Sequence, residues 1–421
     1  MKKFILIILS FGILLRLLLS FTTYHTDVAP FDFAGKVIAK GNVLNFYDYL
    51  WQLPKDHPYL KVYPRNLFNY PPAVYFFLGG FSRLTTWPID PVIHENFILN
   101  FPSTLGNIQL NWLLLLLKLP YLPFDIATAF LLMSLFKEER HKKFAFTFWI
   151  FNPINLYATY MMGMYEGIPA FFSLAAIAYV YKRRDRIASV SLLPAALLLG
   201  AGAAFKIFPV LFLVPLALLK KSWWERIKIV GLGVLTYLIT TFPFIFSKGF
   251  RTTAMLASQT TKSFYAQIPI SGGESIILFL AAVIFIYLVF LFKKNTAEDL
   301  WKKFFILLLL FFVFTHYHPQ WFVWITPFLI IDLVKSNLKH WVLVVITLFS
   351  YFGLITFFDP GLSVWLFAPV FPHLWGLLGI WQLIGVNPDI NIARSILQTI
   401  FVGAAIYYIC YNLPKNEEKD V

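Results

Sequence analysis

The chain alternates apolar runs of membrane-spanning length with short clusters of lysine and arginine, and that alternation leaves little choice of fold. The first run, FILIILSFGILLRLLLSFTT at residues 4–23, lacks a small-residue cleavage site and is followed by further runs, so it reads as a retained span and not as a signal peptide. Across 421 residues, 59% are hydrophobic and only 13% charged. The mean hydropathy is +0.70, which excludes a soluble globular domain. The expected fold is an all-α polytopic membrane protein of about 12 to 14 spans. A net charge of +14 would point to nucleic acid in a soluble chain. Here the cations sit in KEERHKK (137–143), KRRDR (182–186), KKSWWERIK (220–228), KKNTAEDLWKK (293–303) and KSNLKH (335–340), with Lys2, Lys3 and Lys415 near the ends. The positive-inside rule places these clusters and both termini in the cytoplasm, and no nucleic-acid partner is implied. The single cysteine, Cys410, excludes a disulfide framework and a cysteine metal site.

Pro120, Pro209 and Pro319 interrupt long apolar runs and are expected to divide them into helical pairs that turn back. Residues 24–70, 247–273 and 358–393 then fall outside. In the first of these, FAGKVIAKG (33–41) has apolar residues at helical spacing with Lys36 and Lys40 on another face, the pattern of a helix lying along the membrane interface. Trp365, Trp375 and Trp381 fit an interfacial role in the last outer segment.

On this topology the unusual polar residues gather at the outer ends of spans: Asp27, Asp32, NYPP (69–72), Lys118, Asp125, Glu166, Lys206, and HYHPQW (316–321). Ionisable groups at membrane depth are costly unless they line a wet cavity or pair with one another, so the set implies one polar chamber opening outward. Carboxylates, lysines and imidazoles together suit sugar transfer from a lipid phosphate. A carboxylate takes the acceptor proton, while Lys and His hold the departing phosphate.

These residues also resemble a known family. TDVAPFDFAGKVIAKGNVLNFYDY followed by NYPPAVYFFLGG is similar to the first outer loop of GT-C glycosyltransferases, in the polyprenol-phosphate-mannose-dependent mannosyltransferase branch related to the GPI mannosyltransferases. Asp27, Phe31, Gly41, Phe46, Tyr47, Tyr70, Pro71 and Pro72 match in order. The likeness continues through KLPYLPFDIA, NPINLYATYMMGMYEG, KIFPVLFLVPL and HPQWFVWITPF. It therefore covers residues 1–335 as a GT-C-like catalytic module and leaves 336–421 as a C-terminal transmembrane region with an outer loop near 358–393. Two departures stand out: Ala34 lies near the place of a usual Trp, and Glu166 replaces an Asp.

The resemblance implies inverting, metal-independent transfer, without a cofactor, from a polyprenyl-phosphate sugar to a lipid or glycan acceptor, with Asp27 as general base. Lys206, His316, His318 and Lys118 would bind the donor phosphate, and Asp32, Asp125, Glu166, Tyr70 and Gln320 the acceptor or sugar.

Each position has a plainer reading. Asp27 can be a solvated carboxylate ending a helix, Asp32 an exposed residue opening the interfacial helix, and Glu166 a helix cap. Lys118 and Asp125 can neutralise one another, Lys206 can snorkel, and Lys61 and Arg65 can be surface charge. The pair His316 and His318 implies a metal only if carboxylates join it. A transporter or flippase of a lipid-linked or anionic solute, and a polymerase or ligase using a diphosphate carrier, remain as other functions. The gathering of charge at one face, without paired halves, favours the transferase.

Overall fold

A computed structural model describes residues 1–255 and 261–414 of the chain. Lys415 lies outside the described residues. The principal helices are α1 (Lys2–Thr22), α2 (Val28–Ala39), α3 (Pro72–Thr85), α4 (Pro91–Leu99), α5 (Ile108–Lys118), α6 (Leu122–Ser134), α7 (Glu139–Ile150), α8 (Gly167–Tyr181), α9 (Leu193–Phe205), α10 (Trp223–Thr241), α11 (Leu278–Phe292), α12 (Leu300–Phe314), α13 (Thr326–Lys335), α14 (Trp341–Thr356) and α15 (Ile390–Asn412). Among the described residues the protein is an all-α membrane protein apart from one hairpin, in which β1 (Gln267–Pro269) pairs antiparallel with β2 (Ser275–Ile277), within and just beyond the segment expected to be an outer loop.

Among the described residues, four helical stretches are long and apolar enough to cross a bilayer: Lys2–Thr22, Ile108–Ser134, Trp223–Phe244 and Ile390–Asn412. Shorter apolar helices, α8, α9, α11 and α14 among them, fill the bundle. The expected turn at Pro120 does not occur. Residues 119–121 form a single 3₁₀ step with helical dihedrals, so α5 and α6 run on as one 27-residue element. Proline is tolerated because it falls in the first turn of the helix that follows, where its missing N–H costs nothing. At Pro209 and Pro319 the chain does break, and the break precedes the proline: Lys206 and Thr315 have extended backbones.

The basic clusters share one end. His141 meets Asn337 at 3.2 Å, Arg184 pairs with Glu298 at 3.2 Å, the N-terminal amine lies 3.8 Å from Glu139, and Lys335 lies over the ring of Tyr181. The opposite end carries the first polar segment, the breaks at 163–166, 206 and 315–318, and the 358–378 loops.

Helix α2 is not an interfacial helix. Phe31, Asp32, Phe33, Ala34, Gly35 and Val37 are all buried, and Lys36 is paired with Glu95 on α4. The helix crosses α3 so closely that a Cβ at Gly35 would collide with the Gly79 carbonyl oxygen. Glycine at both positions allows two backbones to touch. Arg65 is likewise not free surface charge, since its guanidinium donates to the carbonyls of Leu50, Trp51 and Leu53 at 2.6, 2.8 and 3.0 Å and closes the first loop. Trp375 packs on Phe101 and Trp365, and Trp381 stacks on Phe357, so these indoles serve the fold as well as any interface. Residues after 335 join the same core, with Phe401 against Phe312, Tyr317 and Phe322.

Candidate functional site

Three chain breaks and the start of α2 converge at the end of the bundle away from the basic clusters. The first break follows a wide helical turn over residues 156–161 and passes through Gly163 at φ +72°, a conformation that favours glycine. Space forces the choice too, since a Cβ there would meet Val28 Cγ2 and the Lys118 stem. This break delivers Tyr165 and Glu166. The second delivers Lys206, and the third His316 and His318.

The acidic residues separate into one open group and three occupied ones. Asp125 belongs to a buried network: it accepts from Arg16 Nε at 2.5 Å, Trp149 Nε1 at 2.6 Å, Tyr160 OH at 2.6 Å and Asn155 Nδ2 at 2.8 Å. Its expected partner was Lys118, but seven residues along a continuous helix separate the two by about 10 Å. Asp125 therefore has no capacity left for acceptor or sugar. Lys118, fully buried, is no phosphate ligand either. Its ammonium is held by the carbonyls of Thr23 (2.7 Å), Tyr160 (2.9 Å) and Met161 (3.2 Å) and the Thr23 hydroxyl (3.2 Å). These carbonyls close helix C-termini, where the backbone dipole favours a cation.

Asp32, read from sequence as exposed or acceptor-binding, is 0% exposed. It accepts from Ser82, stands 2.7 Å from His94 Nε2, and has Arg83 at 3.7 Å. This cluster ties α2 to α3 and α4 and is closed to ligand. Glu166 is also fully buried, bonded to Trp324 Nε1 at 2.6 Å and to Lys206 at 3.2 Å. The Lys206 ammonium lies 5.2–5.7 Å from the ring centroids of Tyr70, Tyr165, Trp321 and Trp324. An ammonium inside four aromatic faces and against a carboxylate is already neutralised, so Lys206 is not a free phosphate ligand.

Asp27 differs from all of these. Its side chain is 37% exposed, and the ring nitrogen His25 Nδ1 lies 3.8 Å from its carboxylate. It lies within electrostatic reach of Tyr70, Tyr165 and Glu166, and Glu166 in turn bonds Lys206. Beside Lys206 a cavity of about 320 Å³ is walled by Tyr70, Phe208, Phe311, Trp321, Trp324 and Met255.

On the far side of Trp321 stands a group of cations. Lys262 donates to His318 Nε2 at 3.2 Å, His316 and His318 have ring centroids 5.7 Å apart, and Arg394 lies 3.9 Å over the ring of Phe358, which also faces both histidines. Burial, then Lys262 and His316, push His318 down to about 3, so it stays neutral at physiological pH and can accept from Lys262. Burial and Arg394 likewise lower Lys262. Asp359 lies within reach of Arg394. Gln320 is buried, and its side-chain oxygen has no hydrogen-bond partner among the described residues.

Sequence reasoning missed Arg16, Arg394 and His25, and weighed Lys262 only as a basic residue of the 247–273 segment in the polymerase or ligase reading. Arg16 lies in the first apolar run, where its isolation was a usable signal. Lys262 opens a 3₁₀ turn and Arg394 lies near the start of α15, far apart in the chain, and only the fold joins them to His318. No family model, curated protein or solved structure matches the chain.

Proposed function

We propose that this protein is a GT-C-type glycosyltransferase that moves a sugar, mannose in the first instance, from a polyprenyl phosphate to an acceptor hydroxyl. The observation that carries this reading is that, of the four acidic site residues, only Asp27 keeps an exposed carboxylate, and it lies within electrostatic reach of Tyr70, which walls the aromatic cavity. A base that must collect a proton needs lone pairs within reach of the acceptor; Asp125 and Glu166 have spent theirs on buried donors, and Asp32 is sealed at 0% exposure beside Ser82 and His94.

In the reaction, the acceptor oxygen attacks the anomeric carbon on the face opposite the phosphate, and its proton passes to Asp27. The bond from that carbon to the phosphate oxygen breaks with its electron pair leaving on the phosphate, so configuration inverts. Charge grows on the leaving phosphate, where Lys262 and Arg394 can offset it. Because His318 Nε2 accepts from Lys262, its Nδ1 carries the proton and is a further donor. The apolar and aromatic walls beside Lys206 suit the isoprenoid stem or the sugar face. This reading takes the basic end as cytoplasmic by the positive-inside rule and the site as facing outward from a bacterial cytoplasmic membrane.

Broken helices at 163, 206 and 315 also occur in transporters, which keeps a flippase as the second reading. Purified protein given radiolabelled polyprenyl-phosphate mannose and a crude membrane acceptor separates the two. Label appearing covalently in the acceptor supports transfer. Label that only crosses the bilayer in reconstituted vesicles, still on its donor, rejects it.

A further inference from the structure

The short segment between α1 and α2 is fixed residue by residue. The Thr23 carbonyl accepts from Lys118. The Tyr24 N–H donates to the Leu366 carbonyl at 2.8 Å, and its ring stacks on Phe101 with centroids 3.7 Å apart. Next comes His25, which is buried. Its carbonyl accepts from Val28 N–H at 3.2 Å, while its ring Nδ1 accepts from the backbone N–H of Asp27 at 3.3 Å. Those two N–H groups belong to the opening turn of α2, where helix geometry offers no partner.

The imidazole thus does what an asparagine oxygen does in an Asx-turn, accepting from the N–H two residues on. The chain uses the device twice: His57 Nδ1 accepts from Tyr59 N–H at 3.2 Å where the helix Pro58–Val62 begins. Acceptance at Nδ1 places the ring proton of neutral His25 on Nε2. The Asp27 carboxylate oxygen, 3.8 Å from that same Nδ1, is beyond hydrogen-bond distance and keeps its lone pairs.

We propose that His25 is a positioning residue for sugar transfer, fixing the backbone of Asp27 through its N–H while leaving the carboxylate free to receive the acceptor proton. This rests on Asp27 being the base. A base displaced by about 1 Å costs on the order of 100-fold in rate, so the bond acts on turnover and not on donor binding.

The test compares His25→Ala, His25→Asn and Asp27→Asn with wild type, each purified in detergent and checked by thermal melting, using labelled polyprenyl-phosphate mannose and a membrane acceptor. His25→Ala is expected to lower kcat by about 10- to 100-fold with donor KM within about twofold. His25→Asn, whose Oδ1 can accept the same N–H, is expected to recover most of kcat. Should His25→Ala fail to fold, His25→Gln replaces it, because the longer side chain carries its oxygen past that N–H and should give the low kcat. Wild-type kcat in the Ala or Gln variant, alongside an inactive Asp27→Asn, overturns the role of His25 alone. Equal losses in Asn and Ala variants that melt with wild type overturn it too. Full activity in Asp27→Asn instead removes the base, and the positioning claim with it.

Discussion

Replacing Asp125 by Leu probes what the buried network does. The carboxylate accepts from Arg16, Trp149, Asn155 and Tyr160, and Arg16 also donates to the carbonyls of Gly12 and Ile150 at 3.0 and 2.8 Å. Asp125→Leu strands the Arg16 guanidinium, whose side chain is 1% exposed, and a stranded buried charge costs about 3–5 kcal/mol. Tyr160 and Asn155 lose a partner, at about 1–3 kcal/mol each, while Trp149 Nε1 keeps the backbone carbonyl of residue 125 at 3.0 Å. The double variant Arg16→Met with Asp125→Leu keeps the second loss but removes the first, so it should be more stable than Asp125→Leu by about 3 kcal/mol or more. Thermal melting in detergent should order the proteins as wild type, then double variant, then Asp125→Leu. Should Asp125→Leu melt with wild type and lose only transfer, Asp125 would be a site residue, as its position in the sequence first implied, and the structural account of it would be wrong.

Gly35→Ala should lower the melting temperature through backbone collision with Gly79, an overpacking of about 1–3 kcal/mol, whereas Gly80→Ala, where a Cβ meets nothing, should not. Lys262→Ala and Arg394→Ala should each weaken donor binding in a titration with polyprenyl-phosphate sugar by about tenfold while the fold persists, and equal affinity would remove them from the phosphate site. The depressed His318 makes stability pH-dependent. The unfolded chain takes up this proton near 6.5 and the fold only near about 3, so the contribution is complete above pH 6.5 and is lost as pH falls towards 3. Between pH 6.5 and 5 the loss is up to about 2 kcal/mol, and melting of His318→Gln should fall less over that interval than wild type.

The helical membrane fold was legible because apolar runs and basic clusters report the bilayer directly. The positions of Glu166, Lys206 and His318 at chain breaks were legible too, since each stands before a helix or a proline. What was not legible was pairing. Lys118 is bound by backbone carbonyls, which leave no signature in side-chain types. Asp125 finds Arg16 across 109 positions, and the seven-residue spacing to Lys118 looked like a pair only while Pro120 was taken to reverse the chain. Helix α2 looked amphipathic because Asp32, Lys36 and Lys40 read as polar, yet Asp32 is buried on Ser82 and His94 and Lys36 is paired with Glu95. The cationic group at His318 depends on Lys262, in a short 3₁₀ turn, and Arg394, at the start of α15, which share no motif.

The central claim is that Asp27 receives the acceptor's proton. The direct measurement is single-turnover transfer by Asp27→Asn with bound polyprenyl-phosphate mannose, beside an equilibrium titration of the same donor. A rate lowered by about 10²- to 10⁴-fold with donor affinity unchanged is the result this account expects. Transfer at the wild-type rate would contradict it.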